Sequence, residues 1–319
     1  IKTVRAVSTP RRTVQVCGTP FGVKMFSDGA LIVAFSDRYT VLGSENPAKA
    51  AGLRLGDWIV SAGGRPVRSN DDLTAAIQAA DGAPLTVVYR RDGVQHTAAL
   101  TPAQDEKGRY KAGVWVRDSG AGIGTMSFVD AQHGTFAGLG HSISDTDTGT
   151  ELTLLSGEIV PVTITGCIRG AAGSPGELRG EFSAKAVGQV LANDAAGVYG
   201  SYTGGTIGQA VPVANVQEVT PGEAELWTTV QGTTAQPYKV RIERVTMTGS
   251  DPNRNLLIKV TDERLLEKTG GIVQGMSGSP IVQNGQLAAV LTHVLVNDPA
   301  KGYAIFAATM LEKADAVIK

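Results

Sequence analysis

Cysteine, histidine, aromatic residues and long apolar runs are all scarce in this 319-residue chain, and each scarcity narrows what it can be. The two cysteines, Cys17 and Cys167, are far apart and follow no metal-ligand spacing. Two free thiols are the default expectation, with a single disulfide as the alternative. No stretch approaches the roughly 18–20 apolar residues of a membrane span. Neither sign of charge prevails, since 29 Lys and Arg face 30 Asp and Glu for a net charge of −1. With no basic face, nucleic acid is not an expected partner. The pairs Arg11-Arg12 and Arg90-Arg91 are isolated and read as solvated surface charge. The Gly-rich pieces at 166–180 and 197–205 lack the Gly-Lys-Ser/Thr word of a phosphate loop. No His, Asp and Glu cluster has metal-ligand spacing, so neither metal nor cofactor is expected. The chain opens on Ile1 without a signal peptide. The expectation is a processed form, or one lacking its targeting segment, with a membrane anchor in the full-length protein.

Glycine, by contrast, is abundant at 40 residues, and hydrophobic residues make up 42%. That combination predicts a well-buried core of short strands joined by tight turns, and the length suits two domains. Residues 1–17 are polar and basic and read as a linker. Residues 18–104 hold a strand at Ala30–Phe35, a short helix at Pro47–Ala51 ended by Gly52, and a helix over Asp71–Ala80 capped by Ser69 or Asn70. Two alternating strands follow, Leu85–Tyr89 and Gln95–Leu100. The word Ala51-Gly52-Leu53-Arg54-Leu55-Gly56-Asp57-Trp58-Ile59-Val60, with the later helix, resembles a PDZ domain. Such domains bind peptides by adding a strand beside a helix. The resemblance places the carboxylate-holding loop at Pro20-Phe21-Gly22-Val23 and the binding strand at Val23–Met25; Phe21 and Val23 can equally be strand core.

From residue 105 to 319 helical periodicity is rare, and short apolar runs alternate with Gly-rich turns, the pattern of a β-barrel or sandwich. A helix is expected at Ala307–Val317. In Gly275-Met276-Ser277-Gly278-Ser279-Pro280 the glycines let the backbone fold around a serine hydroxyl, as in the nucleophile turn of chymotrypsin-like peptidases. The N–H groups of Gly275 and Ser277 would face the developing oxyanion. A plain Gly/Ser β-turn is the competing reading.

A serine nucleophile needs a base, and there are four histidines. His141 lies upstream in Gly138-Leu139-Gly140-His141-Ser142-Ile143-Ser144-Asp145, between an apolar strand and a polar loop. Asp262, Asp145, Asp147 and Asp194 are candidate acids, Asp262 the strongest because it ends an apolar strand ahead of Ser277. His96 and His133 read as structural or surface residues.

The stretch Thr261–Pro280, with Thr292-His293-Val294, Val296-Asn297-Asp298-Pro299 and the histidine segment Gly138–Gly149, is similar to the SpoIVB family of sporulation serine peptidases. The resemblance covers nearly the whole chain. It implies a mainly β architecture, with a PDZ domain at 18–104 and a chymotrypsin-like double β-barrel peptidase domain at 105–319. It implies a triad of His141 as base, Asp262 as the residue that fixes its tautomer, and Ser277 as nucleophile. It further implies an extracytoplasmic endopeptidase, secreted into the space between forespore and mother cell. There it would cut a membrane-bound sporulation regulator, so triggering intramembrane proteolysis and sigma-K activation. Self-cleavage is implied too, with a PDZ domain that takes a peptide, its own chain included. Met276 stands where many digestive peptidases carry an acid that pairs with a freed N-terminus, so that activation device is not expected. His293, in the strand after the nucleophile, resembles the histidine that walls the specificity pocket of viral 3C-type peptidases. A structural role within the barrel is the alternative.

Overall fold

A computed structural model describes residues 11–36, 45–248 and 251–317. They pack as two compact units, the first from Ile1–Val23, Gly122–Ser142 and Glu158–Lys319, the second from Lys24–Ala121 and Ile143–Gly157. The structure is mainly β, as the turn spacing predicts.

The first unit holds two rings of strands. One is formed by β1 (Thr13–Phe35), β2 (Val114–Asp130), β3 (Thr135–Gly138), β4 (Leu154–Ile168), β5 (Gly188–Asp194) and β6 (Gly197–Tyr202). Hydrogen bonding runs β4-β5-β6-β3-β2-β1, and a further pairing of β4 with β1 returns the path to its start. The other is a closed barrel of β7 (Gly222–Thr228), β8 (Gln236–Val245), β9 (Leu256–Val260), β10 (Pro280–Gln283), β11 (Gln286–Leu295) and β12 (Asp298–Phe306), in the order β7-β8-β9-β12-β11-β10.

Sequence alternation explains these strands. In β8, Tyr238, Val240 and Ile242 are buried while Lys239, Arg241 and Glu243 face out, the period-two pattern of a sheet with one dry face. Ile242 meets Ile258 across the pair and belongs to a core shared with Leu226, Val240, Ile281 and Leu291. Truncating it leaves a cavity that a closed barrel cannot collapse around. Ile242→Ala is expected to lower stability by about 2–5 kcal/mol, readable by urea denaturation.

Residues 13–16 do not act as linker. They form strand, with Val14 opposite Val211 and Val16 opposite Gln209. Residues 1–10 lie outside the described residues. Arg12 is not a free surface charge either: its guanidinium pairs with buried Asp130 and, at 3.0 Å, with Asp315. Arg91 likewise holds the buried Asp57 at 2.7 Å. Both arginines therefore pin carboxylates that would otherwise be costly to bury.

In the second unit the strands Trp58–Ala62, Leu85–Arg91 and Val94–Leu100 pair in sequence. Helix α1 (Pro47–Ala50) is capped by Asn46, whose side-chain oxygen accepts from Ala48 and Lys49 N–H. Helix α2 (Asn70–Ala79) is capped by Ser69 and buries Leu73, Ala76 and Ile77.

Candidate active site

Ser277 sits in the turn that leads into β10. Gly275 and Gly278 both hold positive φ, at 95° and 97°, a region few other residues adopt. A Cβ on Gly278 would lie 1.9 Å from the Thr125 carbonyl oxygen and 2.6 Å from Leu139 N, so glycine is obligatory there. Thr125 clamps the turn: its N–H donates to Ser277 O and its hydroxyl to Gly275 O, each at 2.9 Å. Met276 N–H donates to Val273 O and Gly278 N–H to Leu291 O. Among the described residues the N–H groups of Gly275 and Ser277 have no acceptor. Those are the two donors that an oxyanion hole needs. The second serine, Ser279, is buried and committed, donating to Met276 O at 2.7 Å and accepting from the Thr228 hydroxyl at 2.9 Å.

The Ser277 hydroxyl is half-buried and donates to Thr292 O at 2.7 Å. It makes no hydrogen bond to His141 in this conformation, and it has to turn from the carbonyl to the imidazole before attack.

His141 follows β3. Its Nδ1 lies 2.8 Å from Ser142 O. A carbonyl only accepts, so Nδ1 carries the proton and Nε2 keeps the lone pair, the tautomer a general base requires. Burial pushes the imidazole pKa below its usual 6.5, and the Ser142 bond acts weakly against that.

Asp262 is not brought to His141. It is the N-cap of helix α3 (Glu263–Thr269), accepting from Arg264 N–H at 3.0 Å and from Lys239 N–H at 3.1 Å. The Arg264 guanidinium grips both its oxygens, at 3.0 and 2.8 Å. Those contacts, led by Arg264, hold its pKa down at about 2. The register explains the separation. Leu257, Tyr303 and His293 share a rung of the barrel, and Asp262 lies beyond the far end of β9 from it, about 16 Å on at the usual strand rise. The other candidate acids are also engaged elsewhere. Asp145 and Asp147 pair with Arg117, and Asp194 pairs with Lys313 at 3.2 Å. The role expected of an acid at Nδ1 is filled here by the Ser142 carbonyl.

This gives a sharp expectation. Asp262→Ala should cost about 1 kcal/mol or more of stability through the lost cap. It should slow labelling by a fluorophosphonate probe by less than about tenfold, against the roughly ten-thousand-fold expected of a triad acid. Because its pKa is depressed, the stability Asp262 contributes is present above the unfolded value near 3.8 and is lost as pH falls toward about 2.

His293 packs its ring against that of His141, centroids 4.9 Å apart at 34°. Phe21, Gly22 and Val23 do not line a peptide groove. Phe21 is 1% exposed and meets Phe136 edge to face at 6.0 Å, and a Cβ on Gly22 would strike the Phe182 ring at 2.2 Å. These residues are core of the first ring, where β1 is paired with both β2 and β4 and so offers no free edge to a ligand. A groove of about 490 Å³ lies instead beside α2, lined by Leu73, Thr74 and Ile77 on the helix and by Tyr110, Val114 and Val116 facing it. Gln78 donates to Tyr110 O, and Asn70 N–H to Asp118.

Cys17 and Cys167 are both free. Asp130, His133 and Asp315 place ligand atoms within 4.8 Å of one another, but the Arg12 guanidinium is the cation they hold. The Thr125, Ser142 and Thr292 contacts escaped sequence reading. Ser142 and Thr292 act through backbone carbonyls, which every residue has.

With the geometry in place, the family comparison decides the assignment. The family described as SpoIVB peptidase S55 matches residues 108–311, and a PDZ domain matches residues 39–91. The chain belongs to the SpoIVB peptidase S55 family. The matched family is one of peptidases, and the chain also carries a PDZ domain. It is 32% identical over 95 residues to "Putative zinc metalloprotease NMA0084" of Neisseria meningitidis, covering 28% of this chain and 21% of that one, so it spans about a fifth of that relative's length. Among solved structures it is similar to the Rv3671c protease of M. tuberculosis in its active form, at 15% identity and a TM-score of 0.39, covering 62% of this chain and 74% of that one. It is also similar to the PDZ domain of the SdrC-like protein of Listeria monocytogenes, at 21% identity and a TM-score of 0.24, covering 28% and 87%.

Proposed function

We propose that this S55 peptidase acts outside the cytoplasm during endospore formation, in the space between forespore and mother cell. There it makes a limited cut in a membrane-bound regulator, so that intramembrane proteolysis and sigma-K activation follow, and it also cuts itself. His141 takes the Ser277 proton through Nε2 and returns it to the leaving amine. Ser277 forms the acyl-enzyme, and the free N–H groups of Gly275 and Ser277 stabilise the oxyanion. The observation that carries the reading is the pairing of those two unbonded donors with an imidazole whose basic nitrogen is free. The PDZ domain takes an extended peptide, from the substrate or from its own chain, in the groove between α2 and the Tyr110–Val116 segment.

The test is a sporulating strain whose only copy carries Ser277→Ala. A sigma-K-dependent reporter should fall to background, and the self-cleavage products seen with the wild-type chain should vanish. A reporter that stays on would contradict the sporulation role.

A further inference from the structure

Each oxyanion donor shares a peptide plane with the carbonyl of the residue before it. No described peptide bond is cis, so in each plane the N–H and the C=O point opposite ways. Where the carbonyl is held, the N–H is aimed. For Ser277 N–H that carbonyl is Met276 O, which accepts from Ser279 N–H at 3.0 Å and from Ser279 Oγ at 2.7 Å. Both of those donors lie in the turn itself. For Gly275 N–H the carbonyl is Gln274 O, and its donor comes from another part of the chain: Leu178 N–H, at 2.9 Å. Gln274 N–H in turn donates to Gly176 O at 2.8 Å, so Gln274 lies against Glu177 as an isolated parallel bridge.

Gly275 is where this arrangement can slip. It holds a φ of 95° and has no side chain, so the plane before it can rotate at low steric cost. A half-turn would point the N–H away from the oxyanion and present a carbonyl instead. Thr125 Oγ1 holds the following plane, through Gly275 O, and leaves this one untouched. Leu178 is fixed by contrast. It is buried in a core shared with Val162, Ile164 and Ile281, and it stands opposite Cys167 where the strand Glu177–Phe182 pairs with β4. The hairpin joining those two strands is also tied to the second barrel, with Gly170 N–H on Thr269 O at 2.8 Å and Gly173 N–H on Val296 O at 2.9 Å.

We propose that Leu178 is a positioning residue for catalysis: its backbone N–H, by holding Gln274 O, keeps the Gly275 N–H turned into the oxyanion site. Met276, buried and apolar, offers this turn no ion pair, so its order comes from backbone contacts of this kind. The contact acts on the transition state, where the oxyanion forms, and not on the binding of the ground state.

This inference rests on the peptidase reading, so the experiment carries one readout that does not. Cell-free synthesis places the matching α-hydroxy acid at Leu178, which turns that one N–H into an ester oxygen and keeps the side chain. The control is the same exchange at Ala171, whose N–H donates to Ser174 O inside the hairpin. Fluorophosphonate labelling is followed over a range of probe concentrations. The Leu178 ester should lower the maximal labelling rate by about tenfold to a hundredfold and leave the half-saturating concentration within about threefold. The Ala171 ester should change neither by more than about threefold. The second readout uses the two Gln-Gly pairs of the chain, Gln231-Gly232 and Gln274-Gly275. Isotope labelling of the glutamine carbonyl and the glycine nitrogen gives one NMR cross-peak for each pair. Gly232, whose N–H donates to Ile164 O at 2.8 Å, is the internal reference. In the Leu178 ester the Gly275 peak should broaden or split while the Gly232 peak stays.

The proposal is overturned if the Leu178 ester keeps the wild-type maximal rate, if it loses only probe affinity, if the Ala171 ester loses as much, or if the Gly232 peak changes along with that of Gly275. Should the Leu178 ester prevent folding, the wild type decides, through the NMR coupling across the hydrogen bond from the Leu178 nitrogen to the Gln274 carbonyl carbon. Its presence upholds the contact, and its absence overturns the proposal. If no form labels but the Gly275 peak alone responds, the peptidase reading fails and the hold of Leu178 on Gly275 stands.

Discussion

Ser277→Ala is expected to abolish fluorophosphonate labelling and to lower peptide hydrolysis by about ten-thousand-fold to a million-fold. The size of the effect follows from the surroundings. Ser279, two residues away, cannot substitute, because its hydroxyl is buried and committed to Thr228 and Met276. What survives should come from the oxyanion donors and binding alone. The overall fold should be little disturbed, since the Ser277 hydroxyl makes one hydrogen bond, to Thr292 O, and the turn is held by backbone contacts and Thr125. The variant should melt within about 1 kcal/mol of the wild type, and that comparison separates lost chemistry from lost structure. Gly278 offers the complementary case: an alanine there would collide with Thr125 O, so activity should fall along with the geometry of the turn.

The second large effect belongs to His141. His141→Ala should lower hydrolysis by a similar factor, about ten-thousand-fold or more, because it removes the imidazole whose free Nε2 takes the Ser277 proton. The pH dependence gives this a sign. The base must be neutral, and burial lowers its pKa. Activity should therefore rise with pH along a limb centred below the usual 6.5, and the enzyme should keep working in mildly acidic medium. The same shift makes protonation costly in the folded state. Stability from this group is present above 6.5 and declines as pH falls from there toward the lowered value. A kcat/KM profile from pH 4 to 8 reads the first effect, and urea melts across the range read the second.

Much of this was legible in the sequence, and the failures share a cause. The nucleophile turn was readable because its chemistry requires glycine on both sides of the serine, and glycine at positive φ leaves a mark in the text. The two helices near the N-terminus were readable from Gly52 and Ser69, whose capping roles are local, whereas the Asn46 cap came only with the structure. Asp262 misled because the same residue type caps a helix and completes a triad. Only the register from Leu257 through Tyr303 to His293, which is long-range, shows it at the wrong end of β9. Phe21 to Val23 misled in a similar way. A loop-and-strand word can serve a peptide groove or a barrel wall, and contacts to Phe136 and Phe182, more than a hundred residues away, decide between them. The groove beside α2 takes its opposite wall from Tyr110–Val116, which the sequence reading had assigned to the peptidase half.

The most direct test of the catalytic assignment is mass spectrometry of the full chain after reaction with a fluorophosphonate. A single adduct on the peptide containing Ser277, absent from His141→Ala and still formed by Asp262→Ala, is the predicted result. An adduct elsewhere, or labelling that survives without His141, would contradict the account.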